Sequence, residues 1–192
     1  MKTKAEATIE DLYRVEVKAE IVGGKIVSMS PTGAIPGFAG DEIFVSLHAY
    51  ARQMKRGRAV GDNKAFHVDL PDRRSFSPDV AYHVGPDPGM KFYEGAPIFA
   101  VEVRSEGDYG PAQERKLAKK RRDYFAAGTQ VVWDVDLLSV DVVKVYRANQ
   151  ANDPDIYRRG DRAEAETAVP GWSMSVDEMF DDQAGESDGN QG

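Results

Sequence analysis

Residues 97–103, Pro-Ile-Phe-Ala-Val-Glu-Val, constrain the fold more than any other stretch of the chain. After the proline every residue but one is apolar. That is the pattern of a strand covered on both faces, as in a sheet enclosed between layers. The exception is Glu102, and a carboxylate inside such a strand is costly unless a cation or a metal answers it. The fold must therefore bring positive charge to the middle of a sheet. One source is local: Arg104 lies two residues on, on the same face of the strand, so a structural Glu102–Arg104 ion pair is the plainer reading. The other reading is a site, and it needs a second acid. Ser77-Pro78-Asp79 heads the strand candidate 79–84. Two converging carboxylates with a backbone carbonyl make a hard oxygen site that suits Mg²⁺. Whether Asp79 reaches Glu102 depends on strand order and register.

Around this strand the hydrophobic pattern changes period several times. Residues 15–22 and 25–29 are β-prone runs separated by Gly23-Gly24, a pair suited to a tight hairpin. Two prolines and two glycines mark 30–37 as loop. Ile43, Leu47, Tyr50 and Met54 then fall at helical spacing and predict an amphipathic helix over 41–55. Alternation predicts a half-buried strand at 65–70, and 71–76 reads as a polar turn. Pro111 and Gly128 bracket the clearest helix, since proline suits the first turn and glycine the position just past the end. Strands at 131–136 and 140–146 follow, and Ser175-Val176-Asp177-Glu178 reads as a capping box opening a short helix. This order predicts an α/β (α+β) fold, a mixed central β-sheet flanked by helices. Residues 1–182 are expected to form a single domain and 183–192 a small, polar, disordered tail.

The third candidate residue lies on the helix at 111–128. Leu117 and Tyr124 mark its buried face, and Lys120 stands three residues from one and four from the other. Arg121 lies near the same face, so periodicity does not choose between them. Lys116, Lys119 and Arg122 fall toward solvent. If Lys120 is a desolvated ammonium, a methionine in its place should leave stability unchanged or raise it.

Several function classes are excluded. The chain has no cysteine, which removes disulfides, thiol catalysis and cysteine–zinc sites. Its three histidines, His48, His67 and His83, lack metal-ligand spacing. Gly-rich phosphate loops and Ser–His nucleophile patterns are missing. No run of about 18 apolar residues occurs, so no membrane partner is expected, and the N-terminus lacks a secretory pattern, which points to the cytoplasm. The net charge of −7 is concentrated late: residues 161–192 hold nine acids and one base, leaving +1 on the first 160. Within those, 114–122 hold six bases and one acid, enough to attract phosphate locally.

Taken together, Ser77-Pro78-Asp79-Val80-Ala81, Val101-Glu102-Val103-Arg104-Ser105, the run Lys120-Arg121-Arg122-Asp123-Tyr124-Phe125-Ala126-Ala127-Gly128 and Trp133-Asp134-Val135-Asp136 resemble the Uma-two family of restriction-endonuclease-like proteins. That family belongs to the PD-(D/E)xK nuclease superfamily. The likeness extends to the hairpin around Gly23-Gly24 and to Val169-Pro170-Gly171-Trp172, so it spans roughly residues 10–182. It implies a restriction-endonuclease-like fold and an active site of Asp79, Glu102 and Lys120, with Glu20 as an additional acid, and it settles the tie in favour of Lys120. The usual strand lysine is Arg104 here. Arginine holds its proton too tightly to act as a base, so any such role passes to Lys120 or to no residue.

The implied function is endonucleolytic hydrolysis of nucleic acid, DNA above RNA, with Mg²⁺ or Mn²⁺ held by Asp79, Glu102 and the Val103 carbonyl. Arg104 and the basic helix would hold flanking phosphates. A homodimer is the expected assembly. The rival reading is a non-catalytic nucleic-acid-binding or interaction protein on the same fold. Metal-dependent cleavage separates the two.

Overall fold

The computed structural model describes residues 6–181. In chain order it contains α1 (Ile9–Leu12), β1 (Ala19–Val22), β2 (Lys25–Ser28), α2 (Ala34–Met54), β3 (Arg58–Val60), β4 (Phe66–Leu70), β5 (Arg73–Phe76) and β6 (Val80–His83). It continues with β7 (Tyr93–Glu94), β8 (Phe99–Val103), α3 (Pro111–Ala126), β9 (Val131–Val135), β10 (Val143–Arg147), β11 (Gln150–Tyr157), β12 (Arg162–Glu164), β13 (Ser173–Ser175) and a 3₁₀ turn at Val176–Met179. The expected tail at 183–192 lies outside the described residues. None of the described helices is long and apolar enough to cross a membrane.

The all-apolar strand, β8, sits inside a six-stranded sheet of order β11-β10-β9-β8-β6-β3. It runs parallel to β9 and antiparallel to β6, so the sheet is mixed. One face of it carries Val80, Phe99, Val101 and Trp133 against Ala39, Ile43 and Leu47 of α2, and the C-terminal segment closes this core with Trp172, Met174 and Met179. Each large side chain taken fully out of water here contributes roughly 1.5–3 kcal/mol. The other face carries Ala81, Ala100 and Val132, with Tyr124 of α3 and Phe66 and Phe76 of a second sheet packed over them. That second sheet has the order β2-β1-β5-β4-β7 and is also mixed, since β4 and β7 run parallel. The predicted mixed sheet flanked by helices is therefore present, with a second sheet covering one face.

Gly23 and Gly24 have φ of 56° and 68° and close the β1–β2 hairpin, as predicted. Pro111 opens α3, and Gly128, at φ 105°, follows its end. Three boundaries differ. Helix α2 begins at Ala34, inside the predicted loop, because Pro36 falls in the first turn, where a missing N–H costs nothing. Strand β1 starts only at Ala19 and β10 only at Val143. A fourth difference is one of type: of the predicted polar turn 71–76 only Pro71-Asp72 turn, and Arg73–Phe76 form strand β5. Two of its polar residues, Arg73 and Ser75, are buried, while Arg74 is exposed. Ser75 accepts a hydrogen bond from the Ile21 N–H (2.8 Å), and Arg73 faces Glu20.

Candidate active site

The register of β6 against β8 decides where Asp79 lies. Val80 pairs with Val101, Ala81 with Ala100 and Tyr82 with Phe99. One step further, Asp79 falls opposite Glu102, and its N–H donates to the Val101 carbonyl (3.1 Å). On the other side of β8, Glu102 pairs with Asp134 of β9. Cross-strand partners project from the same face, so Asp79, Glu102 and Asp134 form one row of carboxylates across three adjacent strands.

Each acid of the row has its own cation, brought by a different element. Asp79 Oδ1 accepts from Lys18 Nζ (2.6 Å), just ahead of β1, while Oδ2 accepts from the Val103 N–H (2.8 Å). Glu102 accepts from Lys120 Nζ (2.7 Å) and from the Tyr124 hydroxyl (2.6 Å), both on α3. Asp134 receives Arg104 in a two-point contact, from Nε (2.7 Å) and Nη2 (2.8 Å). Arg104 also holds Glu114 near the start of α3. The plainer sequence reading, a Glu102–Arg104 pair, is thus corrected: Asp134 and Glu114 occupy the guanidinium. With its side chain 4 % exposed and so engaged, Arg104 acts as an anchor rather than as a phosphate contact. The tie on α3 resolves as well, since Arg121 stacks over Tyr146 (3.6 Å to the ring centroid) while Lys120 turns to Glu102.

The second sheet adds a fourth acid. Glu20 on β1 is buried against Lys120 Nζ (2.9 Å), Arg73 and the Ser77 N–H (2.8 Å). Arg73 continues to Asp123 of α3 (2.9 Å). Lys120 is therefore shared by Glu20 and Glu102, one acid from each sheet. The two acids respond differently. Burial alone would raise the Glu20 pKa, but Lys120, Arg73 and the Ser77 amide hold it below the ordinary glutamate value. Burial raises the Glu102 pKa, with Asp79 and Glu20 acting in the same direction, and Lys120 and Lys18 only partly offset this. Lys120 resists the desolvation that would strip its proton, because Glu102 and Glu20 raise its affinity for it. Between these two acids it is held as a cation at neutral pH.

The depressed pKa of Glu20 has a consequence for stability. A carboxylate that binds protons less readily in the folded state stabilises the fold above its unfolded pKa. That contribution is lost as pH falls through the lower folded value. The stability lead of the parent over Glu20→Gln, measured by urea unfolding, should be full at neutral pH and shrink below about pH 4.5. A lead that grows with acidity would contradict the ionised Glu20 assignment.

The fold brings Asp79, Glu102 and Lys120, and the Glu20 that the resemblance added, to one place. Sequence reasoning missed Lys18, Arg73 and the hydroxyl role of Tyr124. Lys18 had one signal: it lies two residues before Glu20, on the same face of the chain. A cleft of about 680 Å³ opens beside the row, lined by Lys18, Asp79, Asp62, Lys64, Phe44 and the glycines of the α2 start. Lys119, predicted to face solvent, pairs with Asp123 (3.0 Å) and so touches the Arg73 network, whereas Lys116 is exposed.

Acids gather at one end of a mixed sheet, beside an open cleft. The fold matches the crystal structure described as "a putative nuclease belonging to DUF820 from Anabaena variabilis ATCC 29413", with a TM-score of 0.70 and 17% identity over 91% of this chain and 97% of that one. The Uma2 family model, described as "Putative restriction endonuclease", matches residues 7–177. The chain belongs to the Uma2 family. No curated protein matches it.

Proposed function

We propose that the chain is a cytoplasmic, metal-dependent endonuclease that hydrolyses phosphodiester bonds of nucleic acid, DNA being the favoured substrate. The observation that carries the reading is the Asp79–Glu102 pair, two acids opposite each other on adjacent strands, with Asp79 lining the cleft. Among the described residues no three His, Asp or Glu side chains are arranged to hold a metal. The ligands implied by the family resemblance are Asp79, Glu102 and the carbonyl of Val103, whose N–H contacts Asp79. In a strand the N–H and C=O of one residue share an edge, which favours that carbonyl. The donor set fits Mg²⁺ or Mn²⁺ in kind. When bound, such an ion would supply Lewis-acid charge to a phosphate oxygen and acidify a water.

The chain's own residues do the rest. Lys120, fixed by Glu20 and Glu102, presents a permanent charge beside the reacting phosphate and orients water rather than removing its proton. Tyr124 and Lys120 hold Glu102 in one rotamer, and the Val103 amide does the same for Asp79. Arg104 pins the start of α3 to β9 and so fixes the helix that carries Lys120. Cutting both strands of a duplex takes two such sites, so the reading carries a homodimer.

The test is cleavage of a panel of single- and double-stranded DNA and RNA with Mg²⁺, Mn²⁺ or chelator. The parent and Lys116→Met should cut with either metal and not with chelator, and Asp79→Asn should not cut. Binding without cleavage by the parent would favour the non-catalytic reading.

A further inference from the structure

Lys18 is absorbed by neither the family motifs nor the proposed chemistry, yet it is the group that meets Asp79 at the cleft. Its Nζ lies 2.6 Å from Asp79 Oδ1 and 2.6 Å from Asp62 Oδ1, on a side chain only 12 % exposed. The two carboxylates it joins differ in setting. Asp79 is mostly enclosed and has its other oxygen on the Val103 N–H, whereas the Asp62 side chain is 48 % exposed at the cleft wall. Asp79 therefore has one oxygen committed to the backbone and the other committed to an ammonium. A divalent ion on Oδ1 would have to lie closer still, at about 2.1 Å. The ammonium and a dication cannot share that oxygen at those distances without strong repulsion.

We propose that Lys18 is a tethered cation that occupies the metal position on Asp79 when no metal is bound, and that metal entry displaces it onto Asp62. This rests on the metal-site reading above. In this arrangement Lys18 is a positioning residue. It neutralises Asp79 in the empty protein, so the row does not carry uncompensated charge, and it raises the metal concentration at which the site fills. Once displaced to the exposed carboxylate, its ammonium stays on the wall of the cleft, two residues from Glu20 and the hairpin that anchors it.

The experiment is Mn²⁺ titration calorimetry on the full chain without nucleic acid. Lys18→Met should bind Mn²⁺ about tenfold more tightly than the parent or better, because the competing charge is gone. Lys18→Gln should behave the same way and stands in if the methionine variant fails to fold. Lys64→Met is the matched control. Lys64 lines the same cleft, but its ammonium holds the Asp62 backbone carbonyl (3.0 Å) rather than Asp79. It should bind as the parent does. Adding Asp79→Asn to Lys18→Met should abolish the gain. If the parent binds Mn²⁺ and both Lys18 variants bind it equally or more weakly, the gate is wrong while the metal site stands. Equal tightening by Lys64→Met would also overturn the gate, since the effect would then be general charge. No binding by any variant would overturn the metal reading and the gate together.

Discussion

Lys120→Met will lose cleavage by about 10²–10³-fold or more, because it removes a fixed positive charge from beside the phosphate. It will also lose stability. The expectation from sequence was the reverse, that methionine would relieve a desolvated ammonium at no cost. The structure changes the sign, because Lys120 is the shared counter-ion of two largely buried acids, Glu20 at 2.9 Å and Glu102 at 2.7 Å. Removing it leaves both charges facing each other in a closed space. Breaking a buried pair from one side costs about 3–5 kcal/mol. Acid should relieve part of that, since an orphaned carboxylate can take a proton. Urea unfolding at neutral and mildly acidic pH checks this, with single-turnover cleavage measured where the variant is still folded. A variant as stable as the parent would show that Lys120 does not bridge the two acids.

Arg73→Met will be comparably damaging to stability without touching the proposed ligands. Arg73 joins Glu20 of β1 to Asp123 of α3, and its side chain is 6 % exposed. It therefore ties the second sheet to the helix that carries Lys120. Losing it leaves Asp123 with the half-exposed Lys119 and Glu20 with Lys120 and the Ser77 amide. The expected cost is again about 3–5 kcal/mol. For a chain of this size that lowers the midpoint by about 10 °C or more in a thermal scan. Arg74→Met is the matched control, because the exposed Arg74 pairs with the exposed Asp69 of β4. It should change stability by less than about 1 kcal/mol. Equal midpoints for the two variants would remove the interlayer role of Arg73.

What could be read from the sequence divides along a physical line. Glu102 was legible because one charge inside an apolar strand violates a local pattern. The α3 limits were legible because proline and glycine impose their geometry locally. Partners were not legible wherever they come from distant parts of the chain. Arg104 is Glu102's same-face neighbour on the strand, but Asp134, on the parallel neighbour β9, captures it. Lys18 meets Asp79 from 61 residues away. Arg73 was hidden by its surroundings: Pro71-Asp72-Arg73-Arg74-Ser75 is so polar that it reads as exposed turn. Burial of that polarity becomes visible only once Glu20 is known to lie opposite. The pairing of Asp79 with Glu102 is a matter of register, which neither strand encodes by itself.

The central claim is that Asp79 and Glu102 jointly hold a divalent ion for phosphodiester hydrolysis. Glu102→Gln tests it most directly, because it keeps the shape and removes the charge. Mn²⁺ affinity and Mn²⁺-dependent cleavage should be measured on the same preparation, with circular dichroism to confirm the fold. The variant should fold, and binding and cleavage should disappear together. A folded Glu102→Gln protein that still binds Mn²⁺ and cuts like the parent would contradict the claim.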